Sequence, residues 1–445
     1  MKLVNIHKLK NKALLAIFSC FAAICVANAQ EQKTFSNLNE VLVFAKQRNY
    51  LFKNADLQTK LAELTTKTAF GNVFNPRIPV SFQLIDNTQQ QKSFLPGEVF
   101  GQAAGTVRGV VIGQQYSAIF SVQPQFEILN LAGRQQIKSA KINQLITDNQ
   151  NKISEQRTYD QINAIYFNIM SFQGQMDIIK QNIAIADTVL KITKNRFNEG
   201  ISRKQEANEA EVNLINLQDK LEQLQLNIKI QEESLALFFE NSIYPKIMQS
   251  VDIYANNNGI LQTNNTLQTQ NAALQLQMMQ QDLRVAKAQN LPTLSFVSSF
   301  NWQNLSNDFF FHANSNGIAY NYVGLRANWD LPTTVSKLST LKNKQFQSEI
   351  LKTTAEHTAK ETETKNRQMV LDYDKAVAQL QNLKKIVLLK EDTYAKNLNQ
   401  YQEKILGLDK LLISQNELLI VKLNVVGALA NIGFNKSKIE INNSF

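Results

Sequence analysis

Two stretches of this chain place apolar residues at alternating spacings of four and three. The first runs Ile165, Ile169, Phe172, Met176, Ile179, Ile183, Ala186 and Leu190, passes a polar Thr193 and reaches Phe197. After a break near Gly200 it resumes at Leu214, Leu217, Leu221, Leu224 and Ile228, and beyond Gln231 continues at Leu235 and Phe238. A 3.5-residue period held over several heptads predicts a coiled-coil seam, because an ordinary amphipathic helix drifts off that register within a few turns. The prolines lie at 76, 79, 96, 124, 245, 292 and 332, which leaves 125–244 and 333–445 free of them. Proline breaks helix interiors, so the pattern predicts two very long helices, from about 130 to 199 and from about 333 to 404. At 1.5 Å per residue, about 70 residues extend about 105 Å. A helix of that length suits a device that crosses a distance.

Shifting the sequence by 204 lays the second half on the first without a gap. Phe197 then meets Tyr401, and Leu214, Leu217, Leu221, Leu224 and Ile228 meet Leu418, Val421, Val425, Ala428 and Ile432. Ile169, Met176 and Ile183 meet Tyr373, Leu380 and Val387. The chain therefore reads as one unit written twice: helix, proline, β-rich segment, very long helix, turn, long return helix. The expected division is a leader at 1–29, a first repeat at 30–240, an inter-repeat segment at 241–270 and a second repeat at 271–445. Each repeat carries a β-hairpin (76–128 and 292–332) and a helical hairpin, with tips near 200–206 and 404–410.

The period changes to two in the proline-bearing segments. Ile78, Val80, Phe82 and Leu84 alternate with Pro79, Ser81 and Gln83; Phe120 and Val122 alternate with Ile119, Ser121 and Gln123. Leu294, Phe296 and Phe300 follow the same rhythm in the second repeat. Such alternation predicts strands with unlike faces. Tyr116, Phe120, Phe126, Trp302, Tyr320, Tyr322 and Trp329 are candidates for interfacial aromatic girdles. Strands of this kind are also the signal of a transmembrane barrel. Four strands are too few to close one, so a barrel would be shared between chains, and three chains would give twelve strands. The loop holding Gly97, Gly101, Gly105, Gly109 and Gly113 reads as a flexible outer loop. Its counterpart, Asn304–Gly317, contains Phe309, Phe310 and Phe311, a run apolar enough to meet lipopolysaccharide or a neighbouring loop.

Composition narrows the class. Of 445 residues, 44% are hydrophobic and only 19% charged, with uncharged polar residues making up the difference. That argues against wholesale disorder. The longest apolar run, Ala13 to Val26, is too short to span a bilayer as a helix. Lys2, Lys8, Lys10 and Lys12, that run, and Ala27-Asn28-Ala29 together predict a cleaved secretory leader, with lipidation at Cys20 as the weaker reading. The formal charge of +10 falls to +6 when those four lysines are removed, and both cysteines, Cys20 and Cys25, leave as well. The mature chain then has no thiol site. His312 and His357 stand apart from any recognisable partner motif. No phosphate-binding or dinucleotide motif is present, and no basic run interleaved with aromatics points to nucleic acid. An enzyme is therefore not expected, nor a cofactor or metal site.

The first tip reads Arg196-Phe197-Asn198-Glu199-Gly200-Ile201-Ser202-Arg203-Lys204-Gln205-Glu206, followed by Ala210-Glu211. The second reads Tyr401-Gln402-Glu403-Lys404-Ile405-Leu406-Gly407-Leu408-Asp409-Lys410-Leu411-Leu412. With the duplicated plan, these tips resemble the TolC-like family of outer-membrane efflux and secretion channels. Pro292-Thr293-Leu294 and Trp329-Asp330-Leu331-Pro332 fit the same pattern. The second tip departs from it: Lys404 replaces the usual Gly, and the acid sits at Asp409 rather than one residue later. The resemblance implies a mainly α protein with transmembrane β, a homotrimer whose 12-stranded β-barrel continues into a 12-helix coiled-coil periplasmic tube. It implies an outer-membrane location among lipid, and docking to a periplasmic adaptor and an inner-membrane RND or ABC transporter. The adaptor would meet Gly200, Ile201, Ser202, Arg203, Ile405, Leu406, Gly407 and Leu408. Glu206, and Asp409 if a one-residue shift is tolerated, match acids that line the periplasmic aperture in relatives. Conduction would be passive, and the exported substrate is not readable from the sequence. The alternative is a periplasmic coiled-coil adaptor or scaffold, which explains the leader and heptads but not the two matched β-hairpins.

Overall fold

A computed structural model describes residues 32–239, 243–256 and 261–445. The expected leader, with Cys20 and Cys25, lies outside the described residues, as does part of the inter-repeat segment. In chain order the elements are β1 (Gln32–Phe35), α1 (Leu38–Arg48), α2 (Tyr50–Phe74), β2 (Val80–Asp86), β3 (Lys92–Pro96) and β4 (Val107–Val111). There follow β5 (Tyr116–Val122), β6 (Gln125–Leu129), α3 (Leu131–Asn198), α4 (Lys204–Ala236) and β7 (Tyr244–Ile247). The chain ends with α5 (Leu267–Ala288), β8 (Thr293–Ser306), β9 (Asn316–Asn328), α6 (Val335–Gln402) and α7 (Leu408–Asn443).

The 204-residue shift reappears in the helix ends. Both α3 and α6 are 68 residues long, and α3, its end and the start of α4 lie 204 before the matching points of α6 and α7. The entry caps keep the same spacing. Asn130 Oδ1 accepts from the Gly133 amide at 2.7 Å, and Thr334 Oγ1 accepts from the Lys337 amide at 3.4 Å. Each side chain satisfies one of the amides that a helix start leaves unpaired. The shorter α1 opens on a reciprocal cap: Asn37 Oδ1 accepts from the Glu40 amide, and the Glu40 carboxylate accepts from the Ser36 amide.

The chain forms two compact units. One comprises the described residues up to Leu57, Gln150–Gln268 and Thr358–Phe445. Its core takes some residues of the expected seam, such as Ile169, and others beside it, while Ile165, Phe172 and Met176 of the expected seam are only partly buried. Ile162, Tyr166, Ile169 and Met170 of α3 pack with Tyr373, Ala376 and Leu380 of α6 and with Ala428, Leu429 and Ile432 of α7. Farther along, Ile179 and Ala186 meet Leu217 and Leu224 of α4 and Leu419 of α7. α7 is long and apolar enough to cross a membrane by composition alone, and here that apolar character is spent on contacts in all three core clusters. α3 and α7 approach closely at Gly433, where an added Cβ would lie 2.3 Å from Phe167 Cε1 and 2.8 Å from Tyr254 Cε2. β1 and β7 pair in parallel, which ties the start of the described chain to the inter-repeat segment. Nothing in the sequence pattern announced that pairing.

The other unit comprises Gln58–Asn149 and Thr269–His357. Its main sheet has the order β2-β5-β8-β6, with β9 also on β8, all antiparallel. β5 and β6 are one strand path interrupted at Pro124, which has no amide to give the ladder. Its carbonyl instead accepts from the Ser298 amide and hydroxyl, both at 2.9 Å. The glycine-rich segment after β2 is not the flexible loop expected. β3 and β4 pair over five residues, because Lys92–Pro96 and Val107–Val111 each carry a strand-forming run. Gly101 and Gly105, with φ of 74° and 84°, sit in the connection, which also holds a single 3₁₀ turn, Gly97–Phe100.

Candidate functional site

Two places combine exposure with chemistry: the tips of the helical hairpins and the two faces of the main sheet.

At the first tip, Gly200 adopts φ 73°, and the amides of Ile201 and Ser202 both return to the Arg196 carbonyl, at 2.8 and 3.2 Å. At the second, Lys404 adopts φ 63°, and the amides of Ile405 and Leu406 return to the Gln400 carbonyl, again at 2.8 and 3.2 Å. These are the left-handed closures by which helices commonly end. The Lys-for-Gly departure therefore keeps the turn and adds the strain of a Cβ in that region. Arg196 joins the two tips. Its guanidinium donates to the carbonyls of Tyr401 and Gln402, each at 3.2 Å, and lies 4.6 Å from the Tyr401 ring centroid. Tyr401 packs with Val189, Leu190, Ala210, Leu408 and Leu411. Sequence reading found Arg196 and Tyr401 as motif members but had no signal that they touch.

The residues expected at the tips fall into two groups. Ile201 and Ile405, equivalent under the 204 shift, are exposed at 51% and 75%. Arg203 and Gly407 are the extended cap residues immediately before α4 and α7. Leu408 is only 2% exposed and belongs to the tip core, so it offers little surface. Glu206 is half-buried in the first turn of α4, and Asp409 is exposed in the first turn of α7. Neither forms an ion pair among the described residues. An added Cβ at Gly407 would come within 2.5 Å of Asp409 Oδ1, so this carboxylate lies against the helix start. Behind the tip, the hydroxyls of Tyr394 and Tyr401 and both amide atoms of Gln415 are buried without hydrogen-bond partners among the described residues.

The sheet inverts the polarity of a soluble one. Residues directly opposite one another in antiparallel strands share a face. The register aligns Phe82 with Phe120, Phe120 with Trp302 and Trp302 with Ala319. The same face carries Val80 and Leu84, Phe126 opposite Phe296, Phe300, and Val323 and Leu325. Much of it is open to the outside: Phe82 is 57% exposed and Trp302 47%. The opposite face carries Ser81, Gln83, Ser117, Ser121, Ser299, Asn301 and Gln303, with Ser299 2% and Asn301 5% exposed. These polar groups bond to one another: Ser121 Oγ donates to Asn301 Oδ1 at 2.5 Å, Asn301 Nδ2 to Ser299 Oγ at 2.9 Å, and Gln303 Nε2 to Ser117 Oγ at 3.2 Å. Tyr320 and Tyr322, expected in an aromatic girdle with Trp302, lie opposite Asn301 and Ser299 and so sit on the polar face. Alternation alone could not place them, because both faces of β9 carry apolar residues: Ile318, Tyr320 and Tyr322 on one, Ala319, Val323 and Leu325 on the other.

Residues 100–238 match the family model of outer membrane efflux proteins. The backbone also superposes on solved outer-membrane proteins. VceC from Vibrio cholerae aligns with a TM-score of 0.71 and 13% identity, over 91% of this chain and 96% of that one. CmeC from Campylobacter jejuni aligns at 0.67 and 15%, over 91% and 85%. MtrE from Neisseria gonorrhoeae, solved in an open state, aligns at 0.63 and 11%, over 91% and 88%.

The chain resembles the outer membrane efflux proteins in sequence and in fold.

No curated protein matches it in sequence. The efflux-protein match contains β4 to β6, α3, the first tip and α4. CmeC and MtrE are outer-membrane channels.

Proposed function

We propose that this protein is the outer-membrane exit duct of a tripartite efflux or type I secretion system, assembled as a homotrimer. The observation that carries the reading is the inverted sheet. An antiparallel sheet that exposes Phe82, Phe120, Trp302, Val323 and Leu325 while burying Ser121, Ser299 and Asn301 suits lipid outside and water inside. β2 and β9 are the open edges of that sheet. Unpaired edges in a bilayer are too costly to persist, so closure needs further copies. Three copies of four strand paths give the expected twelve.

In this reading the helical hairpins form the periplasmic tube, and the tips meet a periplasmic adaptor that links to an inner-membrane transporter. Ile201 and Ile405 supply the exposed apolar contacts, with Gly200, Ser202, Arg203, Leu406 and Gly407 around them. Glu206 and Asp409 line the aperture. Their repeat partners are Lys410 and Gln205, so the two acids stand one position apart and do not form a matched pair. The unpaired Tyr394, Tyr401 and Gln415 atoms lower the cost of loosening the closed tip, since leaving them buried is unfavourable. Transport energy comes from the partner, and the duct supplies a polar, unreactive path.

The test is the mass of the assembly extracted in mild detergent from isolated outer membranes. A species of three protomers is expected. A monomer recovered only from the soluble periplasm would overturn the reading.

A further inference from the structure

The phenylalanine run after β8 does not sit in solvent as a loose loop. Phe309 and Phe310 pack on Tyr116, with ring centroids 5.5 and 5.1 Å away. Phe311 turns the other way, with φ 56°, a conformation a bulky residue rarely adopts. Its ring stacks over Phe82 at 6.5 Å with an interplanar angle of 9°. Phe311 thereby becomes one wall of a groove on the apolar face, whose other walls are Phe82, Ala118, Phe120, Trp302 and Ala319. The groove is open along one side and offers about 370 Å³. An apolar cavity of about 150 Å³ holds a benzene ring, so this one takes on the order of a dozen carbon atoms.

We propose that the groove holds a single acyl chain of an outer-membrane lipid, as a fixed site distinct from the surrounding bilayer. The inference rests on the membrane reading of the sheet. Three observations fix the occupant's chemistry. The groove is continuous with the exposed apolar band of Val80, Leu84 and Phe300. Its walls are almost wholly hydrocarbon, and Asn304 is the polar residue of its lining that shares the apolar face, Gln303 being on the other. It lies among the row Phe82, Phe120 and Trp302 rather than beyond the sheet's open edges, so edge pairing with another copy would leave it open. Aromatic side chains gather at its loop end, where interfacial rings meet lipid headgroups. Phe311 is the positioning residue: without its ring the groove loses a wall and becomes ordinary protein surface.

Trp302 is a built-in reporter, because the chain has only one other tryptophan, Trp329. A Trp329→Phe form of the full assembly leaves Trp302 as the sole tryptophan, excited selectively at the red edge of its absorption. Phosphatidylcholine brominated at mid-chain is titrated into it in detergent, and the same protein is placed in vesicles of that lipid. Fluorescence quenching is expected to saturate at one brominated lipid per chain. Adding Phe311→Ser should raise the lipid needed by about tenfold or more, the loss of much of a phenyl contact, whereas Phe311→Tyr should restore saturation. Quenching that rises in proportion to lipid in both forms would overturn the fixed site and leave the membrane reading intact. Absence of quenching even in vesicles would overturn both.

Discussion

Gly433 and Lys404 show how much a single position decides. An added methyl at 433 would fall inside the rings of Phe167 and Tyr254, and overpacking of this kind costs about 1–3 kcal/mol. Gly433→Ala should therefore lower the midpoint of thermal unfolding followed by helix circular dichroism. Lys404 works in the opposite sense. A non-glycine residue at φ 63° carries about 1 kcal/mol of strain that glycine does not. Lys404→Gly should slow hydrogen exchange at the Ile405 and Leu406 amides, while Gly200→Ala should speed it at Ile201 and Ser202. Asp160 adds a pH dependence. Burial lifts its carboxyl to about 6 against the opposing pull of Lys438, and its Oδ1 has no hydrogen-bond partner among the described residues. It lines a cavity of about 510 Å³ with Arg157, Glu361, Lys365, Asp372 and Lys438. A carboxyl raised above its unfolded value makes a stabilising contribution that is complete below the unfolded pKa and is lost as pH rises through the folded one. Stability should thus increase as pH falls from 6 toward 4, and Asp160→Asn should flatten that slope in a melting series.

Helices and strands were unequally legible. The long helices follow from proline placement and a 3.5 period, and their ends agree because Asn130, Thr334 and the tip turns are local signals written twice. The strands of the main sheet follow from alternation. Their pairing needed the register, which is why Tyr320 and Tyr322 fell on the face opposite the one expected. β3–β4 was missed because five glycines masked two short strands, and β1–β7 because a four-residue parallel pair has no local signature. The tip motif was visible, yet the Arg196 to Tyr401 contact spans 205 positions and depends on how two hairpins pack. The two faces of the sheet give a direct test. Arginine near the middle of a lipid-facing strand costs about 2–4 kcal/mol. Leu325→Arg should lower the amount of assembled protein in the outer membrane, read by native electrophoresis of membrane extracts. Ser299→Thr, on the polar face, should leave it unchanged.

For the whole molecule, the acids at the tips bear on what passes. Under the duct reading, three copies bring three Glu206 and three Asp409 carboxylates to one aperture, where they attract cations and hold divalent ions. Glu206→Gln with Asp409→Asn should weaken cation selectivity and relieve block by magnesium or cobalt in planar-bilayer conductance. Conductance and block unchanged in the double variant would place both acids away from the path. Charge, composition and the lack of a phosphate-binding motif set expectations at this scale, and the duct reading asks for little chemistry of the chain's own. Under the same reading, the identity of the cargo left no trace in either sequence or fold, since a lumen lined by the Ser, Asn and Gln of the polar face would treat many solutes alike.

The Arg196 bridge also restricts how the protein can change length. It ties the end of α3 to the end of α6, two helices of 68 residues each. Removing one heptad from α3 alone would draw its tip back by about 10 Å, well out of reach of the Tyr401 carbonyl. Removing a heptad from α3 and α6 together, with the matching residues of α4 and α7, would keep both the bridge and the seam. Insertions and deletions in these helices should therefore be tolerated in sets, one for each arm and in multiples of seven, so that the duplication acts as a pair of rulers that must always agree.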